Sequence, residues 1–158
     1  MRRGLTLVEL LMVLLILAIA ATIGMDALAN TEAGLRADRA AREAVTAIKY
    51  ARTLSVTTGG TYGVEFNTAT AQFQVFQTTG SNVVPQPMNA GGTYVVKLSQ
   101  AELAGTTITV SLTGLSTNPY DLTYAPLGTA SSSGTVVFSC AGVTKTVTIP
   151  AVGDPTIQ

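Results

Sequence analysis

A single carboxylate stands inside the most apolar segment of the chain. Residues 5–25 form a run of 21 residues in which Glu9 is the only charged side chain. From Leu10 to Ala21 no side chain is polar. An ionisable group in such a segment usually pairs with another group and marks a functional site. Glu9 therefore needs either a counter-ion or a solvated position at the edge of the segment.

The residues before Glu9 supply a counter-ion if the chain is cut. Residues 1–4 form a short basic leader that ends in Gly4. A cut after Gly4 leaves a free amine four residues N-terminal to the Glu9 carboxylate. Between neighbouring helices, Glu9 of one subunit could neutralise the amine of another. A buried pair of this kind is costly to break and can set register, so we predict that Glu9 aligns subunits during assembly.

The rest of the chain offers few side chains for catalysis or metal binding. It has no histidine, which removes the commonest general base and metal ligand. The carboxylates beyond residue 58 lie far apart, with no spacing typical of a catalytic pair or a calcium loop: Glu65, Glu102, Asp121 and Asp154. We expect each of these carboxylates to be a solvated surface group. The sequence thus predicts no catalytic residues, no cofactor site and no metal site, and an enzyme is the least favoured class.

The single cysteine, Cys140, excludes an internal disulfide. It ends the apolar run at 135–140, where a thiol packs as a small hydrophobic group. We predict a buried thiol, with an intermolecular disulfide as the alternative.

One long helix, predicted from about Leu5 to Val56, positions Glu9. No proline occurs before Pro85, so nothing in the sequence interrupts the helix. Past the apolar run, apolar residues recur at helical spacing and form one stripe: Ala41, Ala44, Val45, Ile48 and Ala51. Acidic residues also precede basic ones by four positions, which favours ion pairs: Glu32 with Arg36, and Asp38 with Arg42.

After Val56 the sequence changes to short β-branched segments closed by turn residues. Strands are predicted at Tyr62–Phe66, Phe73–Val75, Thr93–Leu98, Thr107–Leu112, Asp121–Tyr124, Thr135–Cys140 and Lys145–Ile149. The first two form a hairpin around the Asn67–Ala71 turn, and residues 79–92 are predicted to be a long loop. The fold class is α+β, with a long N-terminal transmembrane helix that continues into a head of antiparallel β-sheets. The predicted parts are a leader (1–4), the transmembrane half of the helix (5–25), its amphipathic half (26–57) and the β-rich head (58–158).

Residues 4–10 combine a glycine, a hydroxyl residue and a glutamate at fixed spacing, ahead of a full-length apolar helix. This segment closely resembles the processing site of type IV pilins and type II secretion pseudopilins. The resemblance implies that a prepilin peptidase cuts between Gly4 and Leu5 and methylates the new amine on Leu5. Glu9 then becomes the fifth mature residue, where the family places its glutamate. The family usually starts with phenylalanine, and Leu5 departs from that pattern.

A second resemblance lies in the helix and the head. Residues 40–55, with Ala-Ile-Lys-Tyr-Ala-Arg at 47–52, resemble the Ala-Arg segment of the minor pseudopilin H and FimT-like group. The succession of strand segments at 122–128, 134–138 and 145–149 is also similar to that group. The resemblance implies a long helix packed against two small antiparallel sheets.

The two resemblances imply a structural minor pilin or pseudopilin. It would be held in the inner membrane by one span, with its head in the periplasm, and then drawn into a type II secretion pseudopilus or a type IV pilus. The implied partners are other pilins, a prepilin peptidase and an inner-membrane assembly platform. Direct nucleic-acid binding is not expected, because the formal net charge is zero and no basic residue follows Lys145. Major pseudopilins use an acidic C-terminal loop for calcium, and no such site is expected here, where only Asp154 lies near the end.

Two alternatives remain open at this stage. The N-terminal segment also fits a secretory signal peptide, with small-residue cleavage sites ending at Ala20 and Ala29. Separately, the chain could be a membrane-anchored adhesin or ligand-binding domain that never polymerises. The N-terminus of the mature protein separates the first alternative from cleavage after Gly4.

Overall fold

One helix of 52 residues, α1 (Leu7–Thr58), precedes all the strands. The computed structural model describes residues 7–80, 82–87, 89–100 and 102–158, and the side chains of all of these except 21–29 and 89–91. The strands in this part of the chain are β1 (Tyr62–Asn67), β2 (Gln72–Gln77), β3 (Asn82–Val83), β4 (Pro85–Gln86), β5 (Asn89–Thr93), β6 (Val95–Lys97), β7 (Thr106–Leu112), β8 (Tyr120–Tyr124), β9 (Gly134–Cys140), β10 (Val143–Ile149) and β11 (Thr156–Ile157). The predicted fold class, a long helix followed by antiparallel sheets, is confirmed.

A stripe of small side chains on α1 faces the strands. Its buried members recur every three or four residues, which is the period of one helix face: Ala33, Ala37, Ala40, Ala41, Ala44, Ala47, Ile48 and Ala51. The predicted stripe is confirmed, with Val45 half-buried at its margin. The predicted ion pairs are also present on α1. Arg36 lies 3.5 Å from Glu32, and Arg42 lies 2.7 Å from Asp38.

The helix ends two residues beyond the predicted Val56, where a glycine takes a left-handed conformation. Gly59 has a φ of 69°, and its N–H donates to the carbonyl of Ser55 at 3.1 Å. Glycine tolerates this conformation without a side-chain penalty, and the bond satisfies one of the last carbonyls of the helix.

The strands form two main antiparallel sheets. The first sheet has the order β3-β2-β1-β8, with β6 also paired to β2, and the second has the order β11-β10-β9-β7. The predicted hairpin is confirmed by the β1–β2 register, in which Val64 lies opposite Val75. Strands β4 and β5 form a separate small hairpin.

The prediction of an unbroken loop at 79–92 is wrong. Strand β3 pairs with β2, and Val83 lies opposite Phe76. Pro85 fits into β4 because a strand with only one partner does not need every backbone N–H. Strand β11, which pairs with β10 at Val147 and Thr148, was also not predicted.

The main core lies between α1 and the two sheets. Phe73 packs against Phe66 and Phe138, with ring centroids 5.9 and 6.3 Å apart. A second, smaller cluster holds α1 nearer its N-terminal end, where Cys140 packs with Ala33, Ala37 and Val143. The prediction of a buried thiol is confirmed, since Cys140 is 5% exposed and free.

Candidate functional site

Glu9 lies in the first turn of α1, with its side chain exposed. The predicted cleavage residues, Gly4 and Leu5, lie outside the described residues. The large side chains around Glu9 are apolar and exposed on all sides of the helix: Leu7, Val8, Leu10, Leu11, Met12, Val13, Leu14, Leu15, Ile16, Leu17 and Ile19. A helix that is apolar all round needs cover from a partner or an apolar medium. No helix built from the described residues combines the length and the apolar character that crossing a bilayer requires.

Near the other end of α1, Arg52 joins the helix to two remote segments of the head. Its Nε donates to the carbonyl of Gly128 at 3.1 Å. One of its terminal nitrogens donates to the carbonyl of Gly153 at 3.0 Å and to a carboxylate oxygen of Asp154 at 2.6 Å. The planar guanidinium suits this task, because its donors point in several fixed directions at once. Arg52 therefore ties the chain near its C-terminus and the turn after β8 to the same point on the helix.

We expect Arg52→Lys to destabilise the head by about 1–3 kcal/mol, since a lysine cannot reproduce the fork that binds both segments. The measurement is guanidinium unfolding of the full chain in detergent micelles, followed by near-ultraviolet circular dichroism of the tyrosines. The matched control is Arg42→Lys, because Arg42 is 70% exposed on the same helix and, among the described residues, pairs only with Asp38. In that control, the free energy of unfolding should fall by less than about 0.5 kcal/mol. Equal losses for the two variants would contradict the role of Arg52.

Ser55, one turn further along α1, is a fully buried polar residue. Its Oγ accepts the N–H of Tyr62 at 3.3 Å and lies 3.0 Å from the carbonyl of Tyr124. The hydroxyl thus links α1 to both β1 and β8. Burial raises the pKa of the neighbouring Tyr124 to about 12, so this tyrosine stays neutral. Sequence reasoning missed both Arg52 and Ser55 as structural ties, because their partners lie far along the chain.

The carboxylates of the head are only partly the solvated groups that we expected. Asp154 is paired with Arg52, although its side chain is 66% exposed. Glu65 is half-buried and accepts a hydrogen bond from Gln74 at 3.2 Å. Partial burial raises the pKa of Asp121, which lies opposite Glu65 in the β1–β8 register. Among the described residues, no group of three or more metal-ligating side chains comes together.

Comparison with known proteins identifies the two parts of the chain separately. Residues 1–25 match the family model of the prokaryotic N-terminal methylation motif. Residues 40–153 match the family model described as type II transport protein GspH. A search of curated proteins gave no significant match.

Two solved structures share the fold. The minor pseudopilin EpsH of the type 2 secretion system of Vibrio cholerae is similar at 16% identity with a TM-score of 0.58, over 78% of this chain and 96% of that chain. The type IV minor pilin FimU of Pseudomonas aeruginosa is similar at 14% identity with a TM-score of 0.55, over 77% of this chain and 87% of that chain. Both comparisons agree with the resemblance found in the sequence.

The family resemblance is therefore confirmed from both ends of the molecule, by the methylation motif and by the β-rich head. The function that it implied, that of a structural minor pilin or pseudopilin subunit, is supported by the same matches. The chain belongs to the GspH family of type II transport proteins.

Proposed function

We propose that this chain is processed between Gly4 and Leu5, methylated on the Leu5 amine and then assembled through its N-terminal helix into a pseudopilus or pilus. The single observation that carries the proposal is the match of residues 1–25 to the N-terminal methylation motif. The exposed apolar surface of α1 on either side of Glu9 supports it, because that surface needs cover from lipid or neighbouring helices.

Family membership implies association with other pilins or pseudopilins, and the methylation motif implies a prepilin peptidase. Family membership and the methylation motif together also imply a membrane-anchored protein with an extracytoplasmic head. The finer proposal is that residues 5–25 hold the subunit in the inner membrane by a single span, with the head in the periplasm. An inner-membrane assembly platform would then draw the subunit into the filament.

In the filament, we propose that Glu9 pairs with the methylated amine of a neighbouring subunit. Both groups are charged in water, and each loses its solvation inside a bundle of apolar helices. Pairing of the two charges compensates for much of that lost solvation, but only when the two helices have the one axial displacement that brings the charges together. The carboxylate would therefore select the register of an incoming subunit.

The test is expression in the native host with and without its prepilin peptidase. We expect a mature N-terminus at Leu5, carrying a methyl group, and recovery in the filament fraction only when the peptidase is present. Intact mass and N-terminal sequencing identify the cleavage site and the methyl group. Shearing followed by immunoblotting measures the amount of the protein in filaments. An N-terminus after Ala20 or Ala29 would support the signal-peptide alternative. A full-length monomer in the membrane under both conditions would support the non-polymerising adhesin.

A further inference from the structure

An open groove runs along one side of the head, between α1 and strand β6. Its volume is about 750 Å³, and its lining includes Arg42 and Glu43 on α1, Val95 and Val96 on β6, and Leu103. We call this space the lateral groove. Its volume lies within the range of about 300–1,000 Å³ that is typical of ligand-binding clefts.

Among the described residues, no strand pairs with the outer edge of β6. The N–H of Val75 donates to the carbonyl of Tyr94 at 3.0 Å, and the N–H of Leu98 donates to the carbonyl of Ala71 at 2.9 Å. The register places Val96 opposite Phe73, so Val96, Leu98 and the carbonyl of Tyr94 bond towards β2, while the N–H of Tyr94 donates to the carbonyl of Val84 at 2.7 Å. In an antiparallel ladder, the residues between bonded pairs direct their N–H and C=O groups the other way. The N–H and C=O of Val95 therefore face away from β2.

The side chains along this edge are partly accessible to solvent. Val95 and Val96 are only half-buried, and Lys97 is exposed. The segment that lines the groove on β6 therefore combines apolar surface with one outward N–H and one outward C=O, both on Val95, because the carbonyl of Lys97 accepts the N–H of Gln100 at 3.3 Å. Strand addition uses this combination, in which main-chain hydrogen bonds give affinity and side-chain contacts give specificity.

The charges of the lateral groove indicate the sign of the charge that a bound segment should carry. Arg42 is engaged by Asp38 at 2.7 Å, and Arg39 lies 3.9 Å from Glu102. Glu43 is exposed and makes no ion pair with another described residue. Among the described residues that line the groove, the charge without an ion-pair partner is thus negative, and Lys97 on the strand edge lies outside that lining. Burial, together with the negative charge of Glu43, also raises the pKa of Tyr94 to about 12.

We propose that the lateral groove binds an extended segment of a neighbouring pilin subunit by strand addition to β6, with a lysine or arginine of that segment facing Glu43. An extended polypeptide matches the free N–H and C=O of Val95, which a helix cannot pair because its own backbone groups are already bonded. The choice of a neighbouring subunit as the source rests on the proposed function. The site itself rests only on the groove, the strand edge and Glu43.

The first test uses the purified full chain in detergent micelles and the synthetic peptide acetyl-Thr-Val-Lys-Val-Thr-Val-amide. Two readouts are taken: peptide affinity by isothermal titration calorimetry, and amide hydrogen exchange at Val95. We expect the peptide to slow exchange at Val95 at least severalfold, because strand addition bonds this N–H. Unchanged exchange at Val95 at millimolar peptide would overturn the proposal, even if the chain is processed and assembled normally.

Two variants test the backbone edge and the charge separately. Val95→Pro removes the outward N–H without removing a bond to β2, and it should weaken peptide binding at least tenfold. Its matched control, Val95→Ala, keeps the N–H. The control should bind the peptide within about threefold of the wild-type affinity. Glu43→Lys should weaken the lysine peptide about three- to fivefold, which is the scale of an exposed ion pair. It should strengthen binding of the same peptide with glutamate in place of lysine by a similar factor. Equal affinities of the Glu43→Lys variant for the two peptides would overturn the charge assignment.

The source of the segment is tested in the native host. We expect Val95→Pro to lower recovery in the filament fraction relative to Val95→Ala, with cleavage at Leu5 unchanged in both variants. If Val95→Pro abolishes peptide binding yet enters filaments as well as Val95→Ala, a neighbouring subunit is not the occupant. That result would overturn the proposal and leave the proposed function intact.

Discussion

Replacing Glu9 by glutamine should lower incorporation into filaments roughly a hundredfold or more, with the chain still processed. The side chain lies in the first turn of α1 among exposed apolar neighbours such as Val8, Leu10 and Met12. In a helix bundle, glutamine keeps the size and hydrogen-bonding capacity of Glu9 but cannot neutralise an amine. Leaving the partner charge buried costs roughly 3–5 kcal/mol, and about 1.4 kcal/mol corresponds to a tenfold change in an equilibrium constant.

The measurement is the ratio of sheared filament to membrane-bound protein, read by immunoblot in the native host. Intact mass must show the same N-terminus in the variant and the wild type, so that failed processing is not mistaken for failed assembly. The control is Glu32→Gln, which makes the same change on the same helix at an exposed pair with Arg36. We expect that control to stay within about twofold of the wild type. Normal incorporation of Glu9→Gln would refute the role of Glu9 in setting register.

The second large effect is expected from Gly134→Ala, which should destabilise the head by about 3–5 kcal/mol, the sum of backbone strain and overpacking. Gly134 begins β9, between Leu112 of β7 and Ile149 of β10. Its φ is 153°, and a Cβ placed there would lie 2.1 Å from the carbonyl oxygen of Ser111. A backbone atom of a paired strand cannot move aside cheaply, so the two strands would have to separate.

Guanidinium unfolding of the full chain in micelles measures this loss, and Gly142→Ala is the matched control. Gly142 also has a positive φ, 86°, but its Cβ would meet no atom within 4 Å. Alanine at position 142 should lower the free energy of unfolding by only about 1–2 kcal/mol, because its side chain is strained in the left-handed backbone conformation. If Gly134→Ala lowers the free energy of unfolding no more than Gly142→Ala does, the prediction is wrong, and β7 and β9 adjust freely at this point.

The sequence predicted the elements that carry a regular period. The buried stripe of α1 follows a helical repeat, and β9 and β10 bury alternate residues: Val136, Phe138 and Cys140 on β9, and Val147 and Ile149 on β10. The short strands β3, β4 and β11 have two residues each, too few for any period to be read. Their positions are set by pairing with neighbours, which a single sequence does not reveal.

For the candidate site, the role proposed for Glu9 was inferred from its unusual place in an apolar run, and it stays a prediction. Arg52 could not be assigned in the same way, although the stretch containing it resembled a family segment. Its partners Gly128 and Asp154 lie 76 and 102 residues further along the chain. No spacing rule connects residues at such distances, so only the folded chain shows that they meet. The lateral groove was missed for the same reason, since β6 begins 37 residues after the end of α1 at Thr58.

The separate attachment of α1 at Ala33, Ala37 and Cys140 has a mechanical consequence. A force applied to the N-terminal end of α1 would reach this small cluster before the main core, because Ala33 and Ala37 precede Ala40 on the helix. We expect the small cluster to open at a lower force than the main core, since it contains three buried residues and the main core contains many more. The contacts of Arg52 lie further along the helix and would still hold the sheets to α1.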